Sequence, residues 1–121
     1  MNNKLSEDCY DLIFTKDRIT YEEKINSADT LNIKKAVCTV NWKDIADNYG
    51  LKAADEAILA VSLALYKCNL GREIYHTRYA EFVVLELSVD FEKRTEDFYD
   101  IIRKWHGISA PCVRAEISVF N

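Results

Sequence analysis

The sequence predicts an α+β domain in which one antiparallel sheet carries helices on one of its faces, and three observations point to it. Two segments, Lys35–Trp42 and Val113–Phe120, place apolar residues at alternate positions, as half-buried strands do, and Arg72–Thr77 and Phe82–Val89 read as two further strands. Two longer stretches between them repeat their apolar residues at helical spacing. Two of the strands are joined by a tight turn at residues 78–80, a connection too short for anything but an antiparallel hairpin.

Residues 1–11 are polar and acidic and read as a lead-in segment. From Thr15 to Ala28 the pattern is helical. Thr20-Tyr21-Glu22-Glu23 resembles a capping box, and Tyr21, Ile25 and Ala28 fall on one face. Lys35 to Trp42 is the first strand: Ala36, Cys38, Val40 and Trp42 alternate against Val37, Thr39 and Asn41, and Trp42 is assigned to the core. A short helical turn, Lys43 to Tyr49, stops at Gly50, the residue best able to take positive φ at a helix end.

The longest helix spans about Ala53 to Cys68. Ala54, Ala57, Ile58, Val61, Ala64, Leu65 and Cys68 form a stripe wide enough to be largely buried. Asn69-Leu70-Gly71 ends it. Arg72–Thr77 and Phe82–Val89 then form the hairpin. Phe91 to Trp105 is an amphipathic helix with Phe91, Phe98, Ile101, Ile102 and Trp105 inward. Its outward face, Glu92, Lys93, Arg94, Glu96, Asp97, Arg103 and Lys104, reads as solvated. Gly107 terminates it, and Val113 to Phe120 is the last strand.

The order is a helix followed by β-α-β-β-α-β, the split βαβ or ferredoxin-like arrangement. Many unrelated functions use this fold, so function has to come from the site.

Composition narrows the classes. At 121 residues the chain suits one domain with a single core. Sixteen basic against twenty acidic residues leave a net charge of −4, no footprint for nucleic acid or an anionic membrane. Cysteines 9, 38, 68 and 112 show neither CxxC pairs nor clustering, which argues against a zinc site or a disulfide framework and for a reducing compartment. No apolar run approaches the roughly 20 residues that span a bilayer, and no signal peptide opens the chain; a cytoplasmic location is expected.

The motifs agree in order and spacing with one family. From Leu12 to Val119 the chain resembles the GGDEF domain of diguanylate cyclases. Leu12-Ile13-Phe14-Thr15-Lys16-Asp17-Arg18 is similar to that family's opening L-T-G-L-x-N-R. Cys38 through Gly50 is similar to D-x-D-x-F-K-x-I-N-D-x-Y-G, and Ala54-Asp55 to the Gly-Asp that follows. Arg78-Tyr79-Ala80-Glu81-Phe82 takes the place of Gly-Gly-Asp-Glu-Phe, and Glu116-Ile117-Ser118-Val119 that of the final V-S-I-G-V strand.

The resemblance implies a bacterial signalling module related to cyclic di-GMP, and its departures imply which chemistry is missing. The positions of the two metal-holding carboxylates are Cys38 and Ala80, neither of which offers an oxygen to Mg²⁺. The signature glycines that admit the triphosphate are Arg78 and Tyr79. The guanine-reading Asn is Ala46, and the inhibitory RxxD motif is Asn69-Leu70-Gly71-Arg72. The family's C-terminal helix has no counterpart before Asn121, so residues 12–121 are expected to form a single degenerate domain without it.

Of the active-site set, Lys43, Asp55 and Glu81 remain as vestigial nucleotide-binding residues. The two carboxylates also have structural explanations: one at residue 55 suits the positive end of a helix, and Glu81 reads as an exposed strand residue. His76 and His106 lack partners at catalytic spacing. The expected function is therefore a module without cyclase activity, catalytic residues, metal or cofactor, acting through a protein partner or self-association. Two alternatives stay open: a Mg²⁺-independent guanine-nucleotide or cyclic dinucleotide receptor, and an RRM-like single-stranded RNA binder with the same element order.

Overall fold

The computed structural model describes residues 34–120. The expected lead-in at 1–11 and the expected helix at Thr15–Ala28 lie outside them. In chain order the elements are β1 (Lys35–Val40), α1 (Trp42–Tyr49), α2 (Leu51–Cys68), β2 (Gly71–Arg78), β3 (Glu81–Leu87), α3 (Phe91–Lys104) and β4 (Ala115–Phe120). The four strands form one sheet in the order β2-β3-β1-β4 with every neighbouring pair antiparallel. This is the ferredoxin-like α+β fold that the element order predicts.

Alternation along β1 explains the layering. Ala36, Cys38 and Val40 point to the helices and are at most 5% exposed. There they join Phe82 and Val84 of β3, the buried stripe of α2 and Phe98 of α3 in one core. The opposite face carries a smaller cluster in which Tyr75, Val83 and Leu85 are buried and Val37 packs against them. The stripe expected on α2 is buried as predicted, with Ala53 and Ser62 added to it.

Two helices meet at Gly50, which serves as the C-cap of α1 and the N-cap of α2 with φ +95. An L side chain rarely adopts that conformation, so the glycine expected at this helix end is required by the backbone. The far end of α2 closes on Asn69, left-handed at φ 53, whose N–H reaches the carbonyls of Leu65 and Tyr66. Asn replaces the usual glycine there because its short polar side chain tolerates this region.

Several expectations need correction. Trp42 is no core residue: pairing of β1 stops at Val40, α1 begins at Trp42, and its side chain is 39% exposed. Val89 lies beyond the end of β3 and is fully exposed, and β4 starts at Ala115 rather than Val113. Arg94 does not simply face solvent. Its Nη1 donates to the carbonyls of Cys68 at 3.1 Å and Asn69 at 3.4 Å, so α3 caps the C-terminal end of α2. A guanidinium suits that site, where unpaired carbonyls and the negative end of the helix dipole converge.

Candidate functional site

The hairpin between β2 and β3 is the centre of the candidate site. Arg78 pairs with Glu81 across a two-residue turn, Tyr79-Ala80, and a bulge between His76 and Arg78 takes up one extra residue. Two-residue hairpins usually need positive φ and hence Gly or Asn. Neither Tyr79 nor Ala80 has positive φ, and the bulge is what allows the chain to turn without a glycine.

The turn is held from both sides. Nε2 of His76 donates to the carbonyl of Tyr79 at 3.0 Å, and the same imidazole stacks on Phe82 with ring centroids 4.7 Å apart. The Tyr79 ring meets Trp42 edge-on at 5.2 Å, and its hydroxyl donates to Oδ1 of Asp55. Trp42 and Tyr79 thus form a half-exposed aromatic pair that bridges the start of α1 to the hairpin. Asp55 does not lie in the first turn of α2, which has no acidic residue. The dipole explanation for it falls away, and Tyr79 is its partner in the fold.

Glu81 is half-buried rather than an exposed strand carboxylate. Oε2 accepts a hydrogen bond from Oγ1 of Thr77 at 2.8 Å and lies 3.7 Å from Nε of Arg78. Lys43 is exposed on α1. Asp55 and Glu81 are therefore both tied to hairpin residues, while Lys43 is held by neither.

Cys38 and Ala80 occupy apolar surroundings. Cys38 is 1% exposed, in register with Phe82 on one side and Ile117 on the other. Burial pushes its thiol up to about 12, so it is neutral at physiological pH. Ala80 is 8% exposed, and its carbonyl accepts from the Val40 N–H at 3.0 Å. Among the described residues no group of three His, Cys, Asp or Glu side chains could hold a metal ion.

Beside Tyr79 and Asp55 opens a cleft of about 440 Å³ between α2 and β2, with Ile58 and Leu59 as its apolar floor and Lys52, Glu56 and His76 at its rim. A protein of known structure shares this architecture. The diguanylate cyclase SiaD of Pseudomonas aeruginosa, solved in complex with its activator SiaC, is similar with a TM-score of 0.63 at 19% identity, over 85% of this chain. The fold is GGDEF-like. This chain spans only 45% of that protein's length. No family model matches the chain, and no curated protein does.

Within this GGDEF-like fold, the contacts that sequence reasoning missed are those of Tyr79 with Trp42 and Asp55. The only available signal was chemical. A tyrosine at a tight hairpin tip carries a large ring and a hydroxyl that both need neighbours. Among the described residues no helix is long and apolar enough to cross a membrane.

Proposed function

We propose that this chain is a degenerate GGDEF module that has lost the cyclisation chemistry and acts through protein contact. One observation carries the reading. The positions that the resemblance assigns to metal carboxylates hold a neutral thiol and a methyl group, both inside the hydrophobic core. Mg²⁺ takes hard oxygen ligands in near-octahedral geometry, so Cys38 and Ala80 do not fit it. A metal would there supply charge neutralisation of a triphosphate, and these side chains supply none.

The guanine side supports the same reading. Asp55, the surviving base-edge acceptor of the resemblance, already takes the Tyr79 hydroxyl. A nucleotide would have to displace that bond and move the ring off Trp42. Protein contact is favoured by the half-exposed aromatic pair at the hairpin and by the similarity to a cyclase that was solved with a protein activator.

A thermal-shift titration with GTP, GDP and cyclic di-GMP, each with and without Mg²⁺ and followed by a product assay, tests this. A ligand at about 100 times its Kd stabilises by roughly 2.7 kcal/mol, a visible melting shift. The expected result is no Mg²⁺-dependent shift and no cyclic dinucleotide product; turnover of GTP would overturn the proposal. The cleft beside Asp55 favours a second reading, a Mg²⁺-independent nucleotide receptor, whose signature is a shift insensitive to Mg²⁺ and abolished in Asp55→Ala.

A further inference from the structure

β4 is an outer strand of the sheet, with β1 on one side and no described strand on the other. The N–H of Asn41 bonds the carbonyl of Arg114, so Arg114, Glu116, Ser118 and Phe120 turn their backbone groups toward β1, and Ala115, Ile117 and Val119 turn theirs outward. Of these outward N–H groups, that of Ile117 alone has a partner among the described residues: it donates to the hydroxyl oxygen of Tyr99 on α3 at 2.9 Å. Sheet edges are commonly blocked by Pro, Lys or a bulge. β2, the other edge, carries its bulge between His76 and Arg78. Ala115–Phe120 has none of the three and leaves Val119 43% and Phe120 49% exposed.

This edge is complementary to itself. A two-fold axis normal to the sheet at Ile117 sets Ile117 against Ile117 of a second copy and Ala115 against its Val119. Apolar residues then meet on the helical face, and every outward N–H of the three finds a carbonyl. On the open face Glu116 meets Ser118 of the second copy, and no like charges stand opposite. The same axis lays the two α3 helices side by side and antiparallel. Glu92, Glu96, Tyr99 and Arg103 follow one another at spacings of four, three and four, on the flank of α3 that Tyr99 turns toward the β4 edge. Arg103, exposed and held by Asp100 on its own helix, falls beside Glu96 of the second copy.

We infer that the β4 edge is a strand-addition surface on which a second copy of this chain pairs its own β4 antiparallel, doubling the sheet, and that Tyr99 holds the site until the incoming strand displaces its hydroxyl. The inference rests on the reading that the chain acts through protein contact, and it names the partner. An unrelated extended segment would satisfy the backbone but would not need acidic and basic ends of the α3 flank in this order; a second copy does. One strand pair with one helix seam is small beside the ~800 Å² per partner of a standard interface, so the association is reversible and depends on concentration.

Sedimentation velocity of the full chain over a wide concentration range should show the mass climbing from 14.0 kDa toward twice that value. Amide exchange locates the surface. The N–H groups of Ala115 and Val119 should become protected as concentration rises, while those of Glu116 and Ser118, already bonded to β1, should change little. Val119→Pro removes an outward donor without touching the β1 ladder, and should stay monomeric with unchanged circular dichroism.

Tyr99→Phe supplies the sharper test. It spares each copy a hydrogen bond that pairing must break, so dimers should form at about tenfold lower concentration. A tyrosine that only packs α3 on β4 would leave the affinity unchanged or weaken it. A wild-type chain that stays monomeric, a Val119→Pro variant that associates like wild type, protection confined to other elements, or Tyr99→Phe dimers no tighter than wild type would each overturn the inference. The outcomes are separable from those of the proposed function: GTP turnover sinks that function whatever the mass, whereas a monomer that ignores nucleotides sinks only the dimer.

Discussion

Tyr79 joins three parts of the molecule through one residue: its carbonyl to His76, its ring to Trp42, its hydroxyl to Asp55. Tyr79→Phe keeps the ring and removes only the last of these. A net hydrogen bond is worth about 0.5–1.5 kcal/mol, and partial exposure puts this one toward the lower end, so the melting temperature should drop slightly. In the same variant Asp55 is released, and any thermal shift with GTP should grow rather than shrink. A shift that stays the same would mean that Asp55 is no nucleotide contact. Cys38 gives a second residue-scale prediction. Its folded-state pKa is raised to about 12 while an unfolded thiol ionises near 8.5, so its contribution to stability is complete below about pH 8.5 and is lost as pH climbs toward 12. Denaturant midpoints should therefore decline above pH 8.5 more steeply for wild type than for Cys38→Ala, whatever their offset at neutral pH. Iodoacetamide on the native protein should label Cys112, which is only half-buried, well before Cys38. Equal rates for the two thiols would contradict the buried placement of Cys38.

Each element's packing is set at its ends as much as along its length. Gly71 opens β2 where a Cβ would collide with Cγ1 of Val84 and lie 2.6 Å from the carbonyl oxygen of Leu85. Backbone cannot yield as a flexible side chain does, so Gly71→Ala should cost about 1–3 kcal/mol, the usual penalty of overpacking. Urea unfolding reads it, and a midpoint equal to wild type would show that β2 shifts freely. The two helical stripes and the hairpin were legible in the sequence because burial on one face imposes a period that composition cannot hide. Strand limits were less so. Alternation runs on through Trp42, Val89 and Val113 after hydrogen-bonded pairing has stopped, since an apolar residue also serves the turns beside a sheet. The role of Arg94 was illegible for another reason. A cation on a polar helical face looks solvated until the end of a second helix is brought against it.

At the scale of the molecule, the sheet order follows from the chain order, but the polar ties that close it do not, because their partners are far apart in sequence. The clearest is Asn41. Its Nδ2 donates to the Cys112 carbonyl at 2.8 Å and its Oδ1 accepts from the Arg114 N–H at 2.7 Å, while its own N–H reaches the Arg114 carbonyl at 3.1 Å. One amide side chain thus mimics a peptide unit and delivers β4 to the edge of β1 after the irregular stretch that follows α3. Read from sequence, Asn41 was only an alternating polar position in a strand, and Asp55 only a family remnant; contact across the fold decided both. Asn41→Ala leaves the half-buried Cys112 carbonyl and the exposed Arg114 N–H without their partner, at a cost of about 0.5–1.5 kcal/mol. Asn41→Asp separates the two bonds. A carboxylate still accepts from Arg114 but cannot donate to the Cys112 carbonyl, and it sets negative charge against that oxygen. At neutral pH the Asp variant should therefore recover none of the lost bond to Cys112, and protonating it at acid pH should restore part of the gap to wild type. Amide hydrogen exchange at Arg114 supplies the local readout, faster in the Ala variant and protected in the Asp variant. An Ala variant with wild-type melting and wild-type exchange at Arg114 would show that β4 is held in place by strand pairing alone.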